Sequence, residues 1–166
     1  MGSTLTTRPA GPGDRHLLTG LLGALSHDSA YLRFQTGIGP GPWPAMVDAL
    51  LPEGLRGGAV LGFVEGELVA HGVWVRVGYR SAAEIGLVVA DAHQGRGIGT
   101  RVASALMDDL TAHGVEQVEV FASATNTAVI RMVARQAPDA VRERDGATVT
   151  YTFPARRAPH EVRTVA

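Results

Sequence analysis

Apolar positions along this chain keep two rhythms, alternation and a three-to-four residue repeat, and their order lays out the elements. Thr4 to Arg8 predicts a short first strand that ends at Pro9. Gly11-Pro12-Gly13-Asp14 then breaks the chain, with Asp14 placed to cap a helix whose stripe is Leu17, Leu18, Leu21, Leu22 and Leu25. Ser26-His27-Asp28-Ser29 reads as a second cap, leading into a short helix through Tyr31, Leu32 and Phe34. Residues 36–44, rich in Gly and Pro, predict a loop, and residues 45–51 a helical turn. Strands follow near 59–64 and 68–77, joined as a hairpin at Glu65-Gly66-Glu67. In residues 83–89, Ile85, Leu87 and Val89 alternate as one buried face of a fourth strand. Ile98, Val102, Leu106 and Leu110 mark a long amphipathic helix that leaves Arg101, Asp108 and Asp109 to solvent. A fifth strand at 117–122 turns Val118 and Val120 inward, a helix occupies 126–135, and a hairpin around Asp145-Gly146 pairs 141–144 with 148–153. A meander of strands followed by a crossover through a helix predicts a mixed α+β sheet. With no repeat or linker, one domain is expected over residues 1–153 and a disordered tail over 154–166.

Between the fourth strand and the long helix stands Gln94-Gly95-Arg96-Gly97-Ile98-Gly99-Thr100. Strand, glycine turn and helix together make an anion site. Glycines let the backbone approach closely, and the free N–H groups of the first helical turn point at the charge. The helix dipole and Arg96 favour the same charge. The turn therefore predicts a phosphorylated cofactor, and its spacing narrows which one. A P-loop needs Lys after the last glycine, where this chain has Thr100 and Arg101. A dinucleotide fingerprint needs G-x-G-x-x-G, whereas Gly95, Gly97 and Gly99 alternate strictly and lie past the middle of the chain.

Composition removes several other functions. The chain has 166 residues, 45% of them apolar, enough for a folded core. A net charge of −1 argues against a nucleic-acid binder. No apolar run of membrane-spanning length and no signal pattern is present, so no membrane partner is expected and the cytoplasm is the expected location. With no cysteine, disulfides and a covalent cysteine-acyl mechanism are excluded, and six scattered histidines without ligand spacing predict no metal site. All fifteen basic residues are arginine. An enzyme acting on lysine would thus offer no competing side chain of its own.

Gln94, Gly97 and Gly99, as Q-x-x-G-x-G, resemble the acyl-CoA pyrophosphate loop of the GNAT acetyltransferase superfamily, and the element order is similar to that fold up to residue 153. The resemblance implies a mixed central sheet whose fourth and fifth strands run parallel and splay apart after a bulge. The gap would take the pantetheine arm of acetyl-CoA against the backbone of Leu87, Val88 and Val89, with Gln94, Gly95, Arg96, Gly97, Ile98, Gly99 and Thr100 around the pyrophosphate. Gly86 suits a bulge or a close approach. The segment from Ser26 to Phe34 is similar to the Ser-x-x-Ser-x-x-Leu-Arg-Phe stretch of bacterial Pat-type protein-lysine acetyltransferases, which often carry an added domain that is not expected within these 166 residues. Its other reading is a core helix in which Arg33 is an anchoring salt bridge.

Acyl transfer to an amine calls for a general base. Glu84, charged within an apolar strand and matching the Ala-Glu-x-x-x-Val pattern of Pat-like enzymes, is the candidate, against a structural edge carboxylate. Many superfamily members place a tyrosine acid seven residues after the helix asparagine. Here that position is Val133, and Gln136-Ala137-Pro138 replaces the usual Gly-Phe ending. Asn126 is read equally as a pantetheine contact and as a helix cap. His71 faces an acceptor pocket or is structural, and Tyr31, Tyr79 and Trp74 are candidates for the acceptor wall. The expected partners are acetyl-CoA and an amine acceptor, a protein or peptide lysine before a small molecule, and nothing in the pattern excludes a homo-oligomer. The competing reading is a non-catalytic acyl-CoA-binding sensor or regulatory module.

Overall fold

In a computed structural model, which describes residues 4–35, 41–78 and 81–155, seven strands form a sheet in the order β1-β2-β3-β4-β5-β7-β6. They are β1 (Leu5–Pro9), β2 (Gly57–Val64), β3 (Glu67–Arg76), β4 (Ala82–Val89), β5 (Gln117–Ser123), β6 (Val141–Asp145) and β7 (Thr148–Pro154). The helices are α1 (Arg15–Gly23), α2 (His27–Phe34), α3 (Pro44–Ala49), α4 (Ile98–Ala112) and α5 (Thr127–Gln136). All neighbours are antiparallel except β4 and β5. A parallel pair needs a crossover, and the 15 residues of α4 supply it. This is the mixed α+β sheet that the order of rhythms predicts, with element ends displaced by a residue or two.

The two faces of the sheet carry separate cores. Ile98, Val102, Leu106 and Leu110 of α4 pack with Val60, Ala70, Trp74 and Ala83 on one face, where Val133 of α5 also joins Val118 and Val149. Helix α4 lies close because the strands beneath it are small-sided. A Cβ on Gly72 would come within 3.2 Å of Val102 and 3.3 Å of Leu106. On the other face Leu18, Leu21 and Leu22 of α1 and Val47 of α3 pack on Leu61, Val73 and Val88. Each strand of the β2–β4 centre is therefore apolar on both sides, as two covered faces require.

Four expectations are corrected. The predicted bulge is missing from β4: its register with β3 runs unshifted from Ala70↔Val89 to Arg76↔Ala83, and the irregularity lies between Gly62 and Phe63 of β2. Asp14 stands at the N-cap of α1 but does not cap it through its side chain. Its carboxylate accepts instead from Arg8 at 2.7 and 2.9 Å and from the Gly11 N–H, and the Arg8 bonds pull its pKa down to about 2. Asp109 is half-buried, accepting the indole N–H of Trp74 at 2.7 Å, where the helix pattern alone leaves it to solvent. Ile85, Leu87 and Val89 are only half-buried, because β5 leaves β4 at that point. Residues 36–40, Tyr79 and the tail from residue 156 lie outside the described residues.

Candidate active site

The β4–β5 ladder begins at Ala82↔Gln117 and stops at Ile85↔Val120. Beyond that point β4 continues to Val89 paired with β3 alone, and β5 to Ser123 paired with β7 alone. Leu87, Val88 and Val89 thus line the β4 side of an opening between parallel strands. Backbone groups on that side have lost their sheet partner, so a ligand with amides can replace it. The splay comes without a bulge.

At the end of β4 the chain makes a 3-10 turn (Asp91–His93) and enters the glycine turn. Gly95 and Gly97 take φ of +71° and +75°, the left-handed region that glycine enters at least cost. A Cβ at either would meet nothing within 4 Å, so the space over the turn is open. Gly99 is glycine for another reason. Its Cβ would press on Met132 at 3.2 Å and Leu87 at 3.4 Å, so the start of α4 can touch β4 and α5. No backbone N–H from Gly95 to Thr100 is engaged by another turn or loop of the described residues, and a helix leaves its first four N–H groups unpaired. The Ile98 side chain is core, so only its N–H is available to a ligand. Arg96 is exposed beside the turn and, among the described residues, holds only the His93 ring at 3.2 Å. An open turn, free donors and an exposed guanidinium fit a pyrophosphate.

Gln94 does not reach over the turn. Its amide donates to the Val89 carbonyl at 3.0 Å and to Ser29 Oγ at 3.1 Å. Ser29 and Ser26 in turn donate to Asp91 at 2.7 and 2.6 Å, and the Ser26 N–H adds a third bond at 2.9 Å. These bonds, the Ser26 hydroxyl foremost, hold the Asp91 carboxyl below its usual pKa. Sequence reading finds only a cap in Ser26, which the Ser29 N–H bond bears out at 3.2 Å. Asp91 is missed, because the bonds span 62 and 65 residues of chain. The network clamps the start of α2 to the mouth of the glycine turn.

Helix α2 then lays its last turn over β4. Alternation puts Glu84, Gly86 and Val88 on the α1–α3 face of the sheet. Arg33, four residues after Ser29, brings its guanidinium onto Gly86, where a Cβ would stand 2.3 Å from Nη2. The expected salt bridge is not there: among the described residues Arg33 makes no ion pair, only a cation–π contact with Phe34 at 4.8 Å. Burial lowers its pKa to about 10, with the charge of Glu84 opposing the fall. Arg33, Glu84, Gly86, Leu50, Val73 and Val75 line a cavity of about 420 Å³. Glu84 is exposed to it, and Glu119, its register partner on β5, is a second carboxylate on that face that sequence reading passes over.

Five further positions resolve. Asn126 is buried and N-caps α5, its Oδ1 accepting from the Val129 N–H at 3.3 Å. Val133 is core. His71 is fully buried in β3 and donates through Nε2 to the Leu50 carbonyl at 2.9 Å, while Nδ1 has no partner among the described residues. Trp74 is buried on the α4 face and cannot line the cavity, whereas Tyr31 is half-exposed on α2. No helix of the described residues is long and apolar enough to cross a membrane. The same residues hold no cluster able to bind a metal.

Comparison with known proteins points the same way as the geometry. The chain is similar to the GNAT domain of Streptomyces lividans PAT (TM-score 0.83, 21% identity, 92% of each chain covered). It is similar to a putative acetyltransferase from Salmonella typhimurium solved with its cofactor acetyl-CoA (TM-score 0.66, 16% identity, 93% of this chain and 96% of that one). A cAMP-binding acyltransferase from Mycobacterium smegmatis gives a TM-score of 0.61 at 24% identity, with 92% of this chain matching 44% of that one. Identities this low establish the fold alone. No curated protein matches in sequence. The acetyltransferase (GNAT) family profile matches residues 31–137, from the helix that carries Arg33 through the glycine turn to the end of α5, and by that match the chain belongs to this family, whose cofactor is acetyl-CoA.

Proposed function

We propose that the chain is an acetyl-CoA-dependent N-acetyltransferase in which Glu84 is the general base and a primary amine is the acceptor. One observation carries the reading: the β4–β5 opening and the Glu84 cavity lie along the same strand, which supports two substrates meeting there from opposite sides. Acetyl-CoA, when bound, supplies an acyl group activated as a thioester. The backbone of Leu87, Val88 and Val89 holds the arm that carries it. Gly95, Arg96, Gly97, Ile98, Gly99 and Thr100 hold the pyrophosphate, and Gln94 fixes the turn. Asn126 caps α5, and its amide group is free to meet the arm. Glu84 takes the proton that the acceptor nitrogen loses, and orientation in the cleft adds to the rate. With Val133 in the core, solvent protonates the leaving thiolate, which is undemanding at a thiol pKa of about 8.5.

A protein or peptide lysine is favoured over a small amine as acceptor. The similarity of Ser26–Phe34 to the Pat-type segment supports this, as does the strand face beyond Glu119, where Phe121 is 48% exposed. The missing tyrosine favours a second reading, an acyl-CoA-binding module without turnover. Release of CoA thiol on addition of peptides, polyamines, aminoglycosides or amino acids separates the two. Turnover with any of these supports the enzyme; tight binding with no thiol release throughout the panel establishes the module.

Cofactor binding has its own readout. At a hundredfold excess over Kd, acetyl-CoA should stabilise the fold by about 2.7 kcal/mol in thermal melts. Replacing both Gly97 and Gly99 is a poor probe, because Gly99 is packed against Met132. Arg96→Glu leaves the core untouched and should remove roughly 1.5–3 kcal/mol of binding, the range for a charged hydrogen bond. An undiminished shift in that variant would take Arg96 out of the pyrophosphate site.

A further inference from the structure

The cavity beside Glu84 contains a charged group for which the proposed chemistry has no use. Arg33 carries five N–H donors in a fixed fork, and no hydrogen bond or ion pair among the described residues takes any of them. Glu84, the nearest opposing charge, raises its pKa but does not pair with it. His71, buried on that side of the sheet, gives its Nε2–H to the Leu50 carbonyl and makes no hydrogen bond to Arg33. Apart from Glu84 and Arg76, the cavity is lined by Ala49, Leu50, Val73, Val75, Val77, Ile85 and Gly86, none of whose side chains can accept a hydrogen bond. Arg76 already donates to the carbonyls of Leu55 and His113. A half-buried guanidinium with no protein acceptor keeps its fork open to a ligand, and a bidentate oxyanion is the partner its geometry matches.

That oxyanion is not the cofactor's pyrophosphate. The glycine turn packs on the α4 face, with Gly99 over Leu87 and Val89, whereas Arg33 rests on Gly86 from the opposite face. Gly86 also precedes Val89 by three residues, roughly 10 Å of strand. A ligand in the cavity therefore meets a cation at Arg33 and a carboxylate at Glu84, more than a hydrogen bond apart. This is the complement of a molecule with an anionic end and an amine.

We propose that Arg33 is a specificity residue that binds a carboxylate carried by the acceptor, so that this chain selects primary amines bearing a carboxylate over amines without one. The carboxylate belongs either to a free amino acid or to an acidic side chain next to a lysine in a peptide. The inference rests on the N-acetyltransferase reading of the same cavity. Gly86 is part of the device, since any side chain there would push the guanidinium off the strand.

The test compares matched acceptors by CoA thiol release: ω-amino acids from glycine to 6-aminohexanoate against n-alkylamines of equal length, and a peptide with Glu beside its lysine against one with Gln. In at least one series the carboxylate member should have a kcat/KM about tenfold or more above its neutral partner, the range of a charge-assisted bond. Preference in the first series identifies a free amino acid, and in the second a peptide. In Arg33→Gln the ratio should collapse toward one. Equal rates within both series in the unmodified protein overturn the proposal without any variant. So does a preference that survives Arg33→Gln, or a variant that slows both members alike. If Arg33→Gln does not fold, Arg33→Lys, which keeps the charge and loses the fork, must reduce the ratio. Should nothing be turned over, the N-acetyl ω-amino acids and the matching N-alkylacetamides are compared in thermal melts. Stabilisation by the carboxylates alone upholds Arg33 although the enzyme reading has failed, and equal shifts reject both.

Discussion

Glu84→Gln should lower turnover by roughly 10²–10⁴ at neutral pH, the usual worth of a general base, while leaving the acetyl-CoA thermal shift in place. The size of the effect follows from the acceptor. A lysine-like amine has a pKa of about 10.4, so presenting it neutral at pH 7 costs about 4.6 kcal/mol. Glutamine keeps the shape and hydrogen bonding of glutamate but cannot take the proton. Position supports the role. Glu84 lies one rung before the β4–β5 ladder ends at Ile85↔Val120, exposed to the cavity and three residues before Leu87. Activity of the variant should recover at high pH, where the amine deprotonates unaided. Unchanged turnover at pH 7 would falsify the assignment and turn attention to Glu119, the neighbouring carboxylate.

Acidification should destabilise the fold through His71 before most carboxylates titrate. The ring is fully buried, and burial is the main cause that holds its pKa near 4, with the Leu50 bond opposing and the Arg33 charge adding. An unfolded chain takes up that proton near pH 6.5 and the native chain only near pH 4. Between those values the unfolded state binds more protons, so stability falls as pH falls. The contribution is complete above about pH 6.5 and lost on the way to pH 4, a change on the order of 3 kcal/mol. His71→Gln retains a donor for Leu50 without titrating, and its stability should vary less over that range by the same amount. Denaturant titrations of both proteins at pH 7 and pH 4.5 measure the difference; parallel losses would show that His71 is not the group responsible.

Local patterns made the elements legible. Alternation and the helical stripe place every strand and helix within a residue or two, because burial of one face is written into spacing. The glycine turn was legible for the same reason: its φ angles and its empty volume are properties of Gly95 and Gly97 themselves. Trp74 shows where this kind of reading ends. An aromatic in a strand has two faces to choose from, and only Asp109 on α4 explains why it turned away from the cavity. Arg33 is a second case, since an arginine on a core helix ordinarily implies an ion pair and nothing local reveals a glycine on a distant strand beneath it.

The sequence by itself determined the order of elements, the anion-binding turn, the family resemblance and Glu84 as the charged residue out of place in an apolar strand. Tertiary structure decided the opening at Ile85↔Val120, the clamp of Ser26, Ser29 and Gln94 around Asp91, and the placing of Arg33 over Gly86. The reason is physical: each of these joins residues that are distant in the chain, and the partner of a side chain is set by which faces the packed core leaves adjacent, not by its neighbours in sequence.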